Sequence, residues 1–370
     1  MRDGLNIVVF GLSLSSSWGN GHATTFRALL RGFAAEGHSA TFLERDVPWY
    51  RPHRDMTDPE FCRLAFYDDI DAVLAEHGAE IDAADAVIVG SYVPEGARLI
   101  DALGARGVRR LCFYDIDTPV TMAALEKGGD AHLERRQVPR LDTYFSFSGG
   151  RVLDTLRRRH GARNPVALHC AVDPDLYHPV DVPRRWDLGY LGTYSPDRQP
   201  TLERLLLEPA RQRPELSFVV AGPLYPEDMR WPPNVTRIEH LPPDAHVAFY
   251  AAQRFTLNVT RAAMRAQGWS PSVRLFEAAA CGVPVVSDTW PGLGELLPEG
   301  QAILTAAETA DMLRILDDTD DTRRDRIARA ARARVLEAHT GRARARELAR
   351  ALLEGAVASR GGDAREAATS

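Results

Sequence analysis

Ser270-Pro-Ser-Val-Arg-Leu-Phe-Glu-Ala-Ala-Ala-Cys-Gly-Val-Pro-Val-Val-Ser-Asp288 is the stretch from which the fold is read. Ser270 is placed to cap a helix with Pro271 at its first position. The N–H groups of Ser272 and Val273 then stand at the positive end of the helix dipole, where an anion binds. Arg274 and Glu277 are three apart, so they share a face, about 5 Å apart along the axis. Ala278 to Ala280 allow close packing, Gly282 ends the helix, and Val283–Val286 reads as a buried strand. Such a face presents a cation to a diphosphate and, one turn deeper, a carboxylate to two ribose hydroxyls. The same spacing also describes an ordinary surface ion pair.

Outward from this helix, short apolar and β-branched runs alternate with helical patterns, the signature of parallel sheets with crossover helices. The first half predicts strands near 5–10, 40–43, 86–90, 111–114, 143–147 and 166–169. The second half repeats the scheme near 188–191, 216–221, 235–238, 255–259, 283–286 and 302–305. Two doubly wound, Rossmann-like α/β domains follow, over 1–170 and 182–335. The proline-rich segment 171–183 cannot sustain helix or central strand and reads as the linker. From about Asp320 the pattern is helical. Ile327, Ala331 and Val335, then Leu348 and Leu352, trace apolar faces at i+4 spacing, so the many arginines lie on a solvated face. Thr340-Gly341 breaks the segment, giving a C-terminal helix over 336–358, and residues 359–370 read as a disordered tail.

Composition narrows the function. The 370 residues carry 45% hydrophobic and 26% charged side chains, ordinary for a folded globular chain. No apolar run approaches the ~20 residues of a membrane span, and Leu5 to Leu14 lacks the flanks of a signal peptide, so a cytoplasmic location is expected. A net charge of −6 argues against nucleic-acid partners. Cys62, Cys112, Cys170 and Cys281 are dispersed, without metal-ligand spacing. Lys127 is the one lysine, so any phosphate grip is built from arginine and backbone N–H groups, and a pyridoxal Schiff base has a single possible site. No cofactor or metal is expected.

Three further segments carry candidate chemistry. Gly192, Thr193 and Arg198 lie where a strand enters a helix, the place at which α/β domains bind ligands. Gly192 permits close backbone approach and Arg198 can grip phosphate, and Gly222 marks a similar strand end. In the first half, the loop Gly19, Asn20 and Gly21 leads into His22 at a helix entrance, where an imidazole is placed to act as general base on an acceptor hydroxyl. Asp115 and Asp117 end a strand and are candidates for acceptor orientation or base catalysis. With Thr118-Pro119 following, Asp117 or Thr118 is equally a helix cap.

The block from Pro271 to Asp288 resembles the donor-site signature of GT-B fold glycosyltransferases. With Trp18-Gly-Asn-Gly-His-Ala-Thr24, Asp115-Ile-Asp-Thr-Pro119, Asp173-Pro-Asp-Leu-Tyr-His-Pro179, Gly189-Tyr-Leu-Gly-Thr193 and His339-Thr340 in order along it, the chain is most similar to their CgeB-like, family-4-related branch. The resemblance implies an acceptor-binding domain over 1–170 and a donor-binding domain over 182–335 facing a cleft, and a C-terminal helix crossing back to the first. It implies hexosyl transfer (EC 2.4) from a nucleoside diphosphate sugar to a hydroxyl of a small molecule or glycan. A sugar-nucleotide epimerase and a non-catalytic sugar-nucleotide binding protein are the alternatives. The chain departs from the family-4 pattern where Trp269 stands eight residues before Glu277 in place of a second glutamate. With no lysine after Gly192, Arg261 or Arg274 joins Arg198 as the diphosphate cation.

Overall fold

The computed structural model describes residues 4–18 and 21–366, with side chains up to Glu354. The chain divides into two compact units, Met1–Ala171 with Gly341–Ser370, and Val172–Thr340. The first holds β1 (Asn6–Gly11), β2 (Ser39–Arg45), β3 (Arg63–Tyr67), β4 (Ala86–Gly90), β5 (Leu111–Asp115), β6 (Thr143–Ser146) and β7 (Pro165–Ala167). They pair in parallel in the order β3-β2-β1-β4-β5-β6-β7. The second holds β8 (Trp186–Leu191), β9 (Phe218–Ala221), β10 (Val235–Ile238), β11 (Gln253–Asn258), β12 (Val285–Ser287) and β13 (Leu304–Thr305). These are likewise parallel, in the order β10-β9-β8-β11-β12-β13. Both orders are doubly wound. Each has one switch point, β1/β4 in the first unit and β8/β11 in the second, and a ligand crevice belongs beyond the carboxyl ends of those strand pairs. The strand Arg63–Tyr67 was not expected from the sequence.

In the first unit both faces of the sheet are covered, as a parallel sheet requires. Side chains alternate along β1, so Val8 and Phe10 join one apolar cluster while Ile7 and Val9 join the other. The second cluster includes Phe26, Leu29, Leu30 and Phe33 of the helix His22–Ala35 and Ala345, Leu348 and Leu352 of the helix Gly341–Glu366. The C-terminal helix thus belongs to the first unit. It continues past residue 358, and residues 367–370 of the expected tail lie outside the described residues. Two glycines let these helices touch. A Cβ on Gly32 would lie 2.4 Å from the carbonyl carbon of Gly341, and one on Gly341 would lie 2.0 Å from the oxygen of Ala28. The break before this helix falls at His339-Thr340, where Val172 bridges Thr340 and donates its N–H to the oxygen of His339 at 3.0 Å.

The second unit packs Leu205, Leu206 and Leu207, Phe218, Phe255, Leu257, Val286, Met312, Leu316 and Ile327 around its sheet. The segment 172–185 has no regular structure and stays with this unit. Among the described residues, no helix is long and apolar enough to cross a membrane.

Candidate functional site

In the second unit the helix expected after Ser270 runs Val273–Ala280 and is capped by Ser272. Pro271 disfavours helical backbone at Ser270, whose hydroxyl donates to the oxygen of Gly268 at 3.0 Å. The Ser272 hydroxyl instead accepts from the N–H of Arg274 at 3.2 Å. The correction shifts the cap by two residues. Gly282 follows with φ of 77°, the left-handed conformation that ends a helix, and Val283 N–H closes the turn onto Ala278.

Arg274 lies across the β8/β11 switch point. Its Nε donates to the Leu191 oxygen at the end of β8 at 2.5 Å, and its Nη1 to Asn258 Oδ1 at the end of β11 at 3.0 Å. The Tyr190 ring lies 5.0 Å below the guanidinium. Among the described residues the ordinary ion pair between Arg274 and Glu277 is not formed. Glu277 is buried and accepts from the Tyr250 hydroxyl at 3.0 Å, and its charge, after burial, raises Tyr177 well above the usual tyrosine range.

Arg198 comes in beside Arg274. It donates to the Thr193 oxygen at 2.6 Å, while its Nε is buried without a partner among the described residues. Burial, followed by the like charges of Arg274 and Arg261, holds Arg198 below the ordinary arginine range. A cluster of three guanidiniums that disfavour one another is stabilised by an anion. The strand ends beneath it require glycine: Gly222 has φ of 138°, and a Cβ there would lie 2.2 Å from the Gly192 oxygen. Thr193 is exposed beside them. Tyr194, just past β8, meets Tyr225 at 5.5 Å, and Tyr225 meets Trp231 at 5.3 Å in the segment between β9 and β10, with Arg237 of β10 over both of the latter rings. This aromatic face was not read from the sequence. Tyr190 lies near the end of β8 and Tyr194 and Tyr225 follow β8 and β9, yet they form no linear motif.

Asp288, at the end of β12, is buried and accepts from the Thr260 hydroxyl at 2.7 Å and the Thr260 N–H at 3.1 Å. Burial raises its carboxyl. In the position of the missing glutamate, Trp269 adopts φ of 47° and donates its indole N–H to Glu295 at 3.0 Å.

In the first unit, His22 begins its helix beyond β1 and is 9% exposed. Burial, with a smaller contribution from His132, lowers it to about 4, so the imidazole is neutral at physiological pH. Gly21 caps the helix by backbone alone, and Gly19 and Asn20 lie outside the described residues. Beyond β4, Tyr92 holds φ of 62°, a conformation that costs a non-glycine residue about 1–3 kcal/mol. Its ring meets His22 edge-on at 5.5 Å and His132 at 4.9 Å. Its hydroxyl donates to Asp117 Oδ2 at 3.1 Å. Asp117 is the cap residue of the helix Thr118–Leu125, one of the two expected, but its side chain makes no capping hydrogen bond, so capping does not account for its carboxylate. Asp115 is fully buried, accepting from Tyr144 at 2.6 Å and Thr121 at 2.7 Å. Burial raises it to about 6. The structure therefore brings His22 and Asp117 together around Tyr92 and sets Asp115 beneath them in the interior. Tyr92 and His132, 40 residues apart, went unread. The signal for Tyr92 was its place just past a switch-point strand.

Trp18, 53% exposed, stacks on His53 at 4.3 Å, because Ser16, Ser17 and Arg27 tie its loop to residues 53–56. Among the described residues no group of three or more His, Cys, Asp or Glu gathers to hold a metal ion.

Residues 198–350 match the family model described as glycosyl transferase-like. No curated protein sequence matches the chain. Among solved structures it is similar to the sucrose-phosphate synthase (tll1590) from Thermosynechococcus elongatus, at 15% identity and a TM-score of 0.72, over 96% of this chain and 100% of that one. It is similar to Anabaena Alr3699/HepE in complex with UDP and glucose, at 13% identity and 0.61, over 95% and 100%. A third is an alpha-glucosyltransferase in complex with UDP and a 13-mer DNA containing a HMU base, at 15% and 0.67, over 95% and 100%. At such identities the likeness establishes the fold. Because the third structure is a complex with DNA, the fold by itself does not exclude a nucleic-acid acceptor.

Proposed function

We propose, for a chain of GT-B fold whose residues 198–350 are glycosyl transferase-like, that it moves a hexosyl unit from a nucleoside diphosphate sugar to an acceptor hydroxyl. The observation that carries this reading is Arg274, fixed across the ends of β8 and β11 with Arg198 beside it and Arg261 within electrostatic range. This cluster, with Gly192, Thr193, Gly222 and the N–H groups of Ser272 and Val273, takes the diphosphate and stabilises it as it departs. Glu277 takes the ribose hydroxyls. The aromatic face of Tyr194, Tyr225 and Trp231 takes the base, and uridine is the first base to test because several similar structures bind UDP. His22 serves as base toward the acceptor hydroxyl, with Asp117 orienting it through Tyr92. Arginine supplies the charge compensation for which other enzymes use a metal ion, so no cofactor is needed.

The test is thermal stabilisation by a panel of nucleoside diphosphates and their sugars. A ligand at 100 times its dissociation constant adds about 2.7 kcal/mol to the folded state. UDP or a UDP-sugar is expected to raise Tm in wild type and far less in Arg274→Ala. Absence of a shift with every nucleotide overturns the reading. Product analysis then separates the alternatives: a transferase consumes donor only with an acceptor, an epimerase needs none, and a binding protein turns over neither.

A further inference from the structure

Beside Tyr92 lies a pair that the proposed chemistry leaves unused. His132 is 7% exposed, and its Nδ1 lies 2.6 Å from Asp130 Oδ1. The same carboxylate oxygen accepts the backbone N–H of His132 at 3.0 Å and of Leu133 at 3.3 Å. With Nδ1–H donated to a carboxylate, the other ring nitrogen is a hydrogen-bond acceptor. That atom, Nε2, is buried and has no partner among the described residues. The loop bearing it is rigid. Gly129 bridges Glu134, Arg135 N–H bonds the Gly128 oxygen, and Ala97 N–H bonds the Ala131 oxygen. A Cβ on Gly96 would lie 2.7 Å from the His132 oxygen. The imidazole is thus held at 4.9 Å from the Tyr92 ring, which His22 also meets, at 5.5 Å.

A buried nitrogen acceptor is costly without a donor, so its occupant must bring one. Around Tyr92 the acceptors predominate: His132 Nε2 and the Asp117 and Asp130 carboxylates accept, the Tyr92 hydroxyl donates to Asp117, and neutral His22 keeps a single ring N–H. A phosphate or carboxylate ligand brings further acceptors and is repelled. A ligand with several O–H donors is matched.

We propose that the Asp130–His132 pair is a hydroxyl-binding subsite for a saccharide acceptor, with His132 Nε2 accepting a hydrogen bond from a sugar hydroxyl other than the one that reacts. This rests on the glycosyl-transfer reading above and names the acceptor class. His132 positions the sugar and moves no proton.

The experiment uses the full-length chain with methyl hexopyranosides as acceptor probes and the nucleotide sugar selected by thermal stabilisation as donor. His132→Phe is expected to raise acceptor KM by about tenfold, leaving kcat, hydrolysis of the donor by water and nucleotide affinity within about twofold. His132→Gln, which returns an acceptor oxygen, recovers part of the loss. An unchanged KM in His132→Phe, or an equal fall in donor hydrolysis, overturns the proposal. Independently of turnover, the Nε2 resonance of 15N-histidine-labelled wild type is followed as the hexopyranosides are added. A shift at His132 supports the subsite, and no shift with any of them overturns it. If no nucleotide binds, the transferase reading fails, while this resonance still decides the subsite.

Discussion

A guanidinium fastened to two oxygens and lying over a ring has few positions open to it, and Arg274 is therefore more a fixed fitting than a mobile charge. Arg274→Lys keeps the charge but has no fork to span Leu191 and Asn258. Nucleotide affinity is expected to fall about tenfold or more by isothermal titration, with Tm changed little; affinity equal to wild type would separate the charge from the geometry. Glu277→Ala removes a charged acceptor and is expected to weaken nucleotide binding by roughly 1.5–3 kcal/mol in a folded protein. His22→Ala is expected to lower turnover by about 10²–10⁴-fold with nucleotide affinity within a few fold. Because burial lowers His22 to about 4, the acid limb of kcat/KM is expected near pH 4. A limb near 6.5 would assign the titration to a solvated histidine.

Elements were legible where their faces are uniform. The run Ala86–Gly90 is buried throughout, so its sequence is apolar throughout and its bounds match the expectation. Arg63–Tyr67 is an edge strand of intermediate burial, and Arg-Leu-Ala-Phe-Tyr shows no alternation from which to read it. The cap at Ser272 was missed because Ser270 and Ser272 are equally good by composition, and the choice is made by Gly268 accepting the Ser270 hydroxyl. Arg274 and Glu277 could be named from the sequence because one short helix carries both, and His22, Asp115 and Asp117 because each ends or follows a strand. Tyr92 and His132 could not, because they meet His22 only once β1 and β4 are adjacent. Helix contact offers its own test. Gly32→Ala adds a methyl where 2.4 Å is available. Despite a helix-propensity gain of up to about 1 kcal/mol, it is expected to destabilise by overpacking, about 1–3 kcal/mol, in chemical denaturation. A stabilised variant would show that the contact is looser than described.

Across the whole molecule, buried histidines set the response to acid. His22 and His169 are both lowered to about 4 by burial. Between pH 6.5 and 4 the unfolded chain therefore binds protons that the folded chain refuses, and stability falls as pH falls, by up to about 3 kcal/mol for each. Asp115, raised to about 6, and Asp288, also raised by burial, work in the opposite sense, recovering stability as they are protonated, but burial lowers His132 and His160 too, so the histidines outnumber them. Tm is expected to drop from pH 7 to pH 4.5 by calorimetry, and less steeply in His169→Gln; parallel profiles would remove His169 as a cause. Activity is expected to survive EDTA if, as proposed, Arg198, Arg261 and Arg274 compensate the diphosphate; loss on chelation and return with Mg²⁺ or Mn²⁺ would make Asp115-Ile-Asp117 a metal site. The order of residues along the chain also has a consequence in time. The first unit is built from residues 1–171 and 341–370, with the whole of the second between them. On the ribosome, β1 to β7 emerge before the second unit, yet the face of Phe26, Leu29 and Leu30 awaits Ala345, Leu348 and Leu352 until the whole of the second unit has been made. The nascent first unit must carry an uncovered greasy surface through the synthesis of some 170 further residues, which makes it the half of the newborn protein most in need of a chaperone.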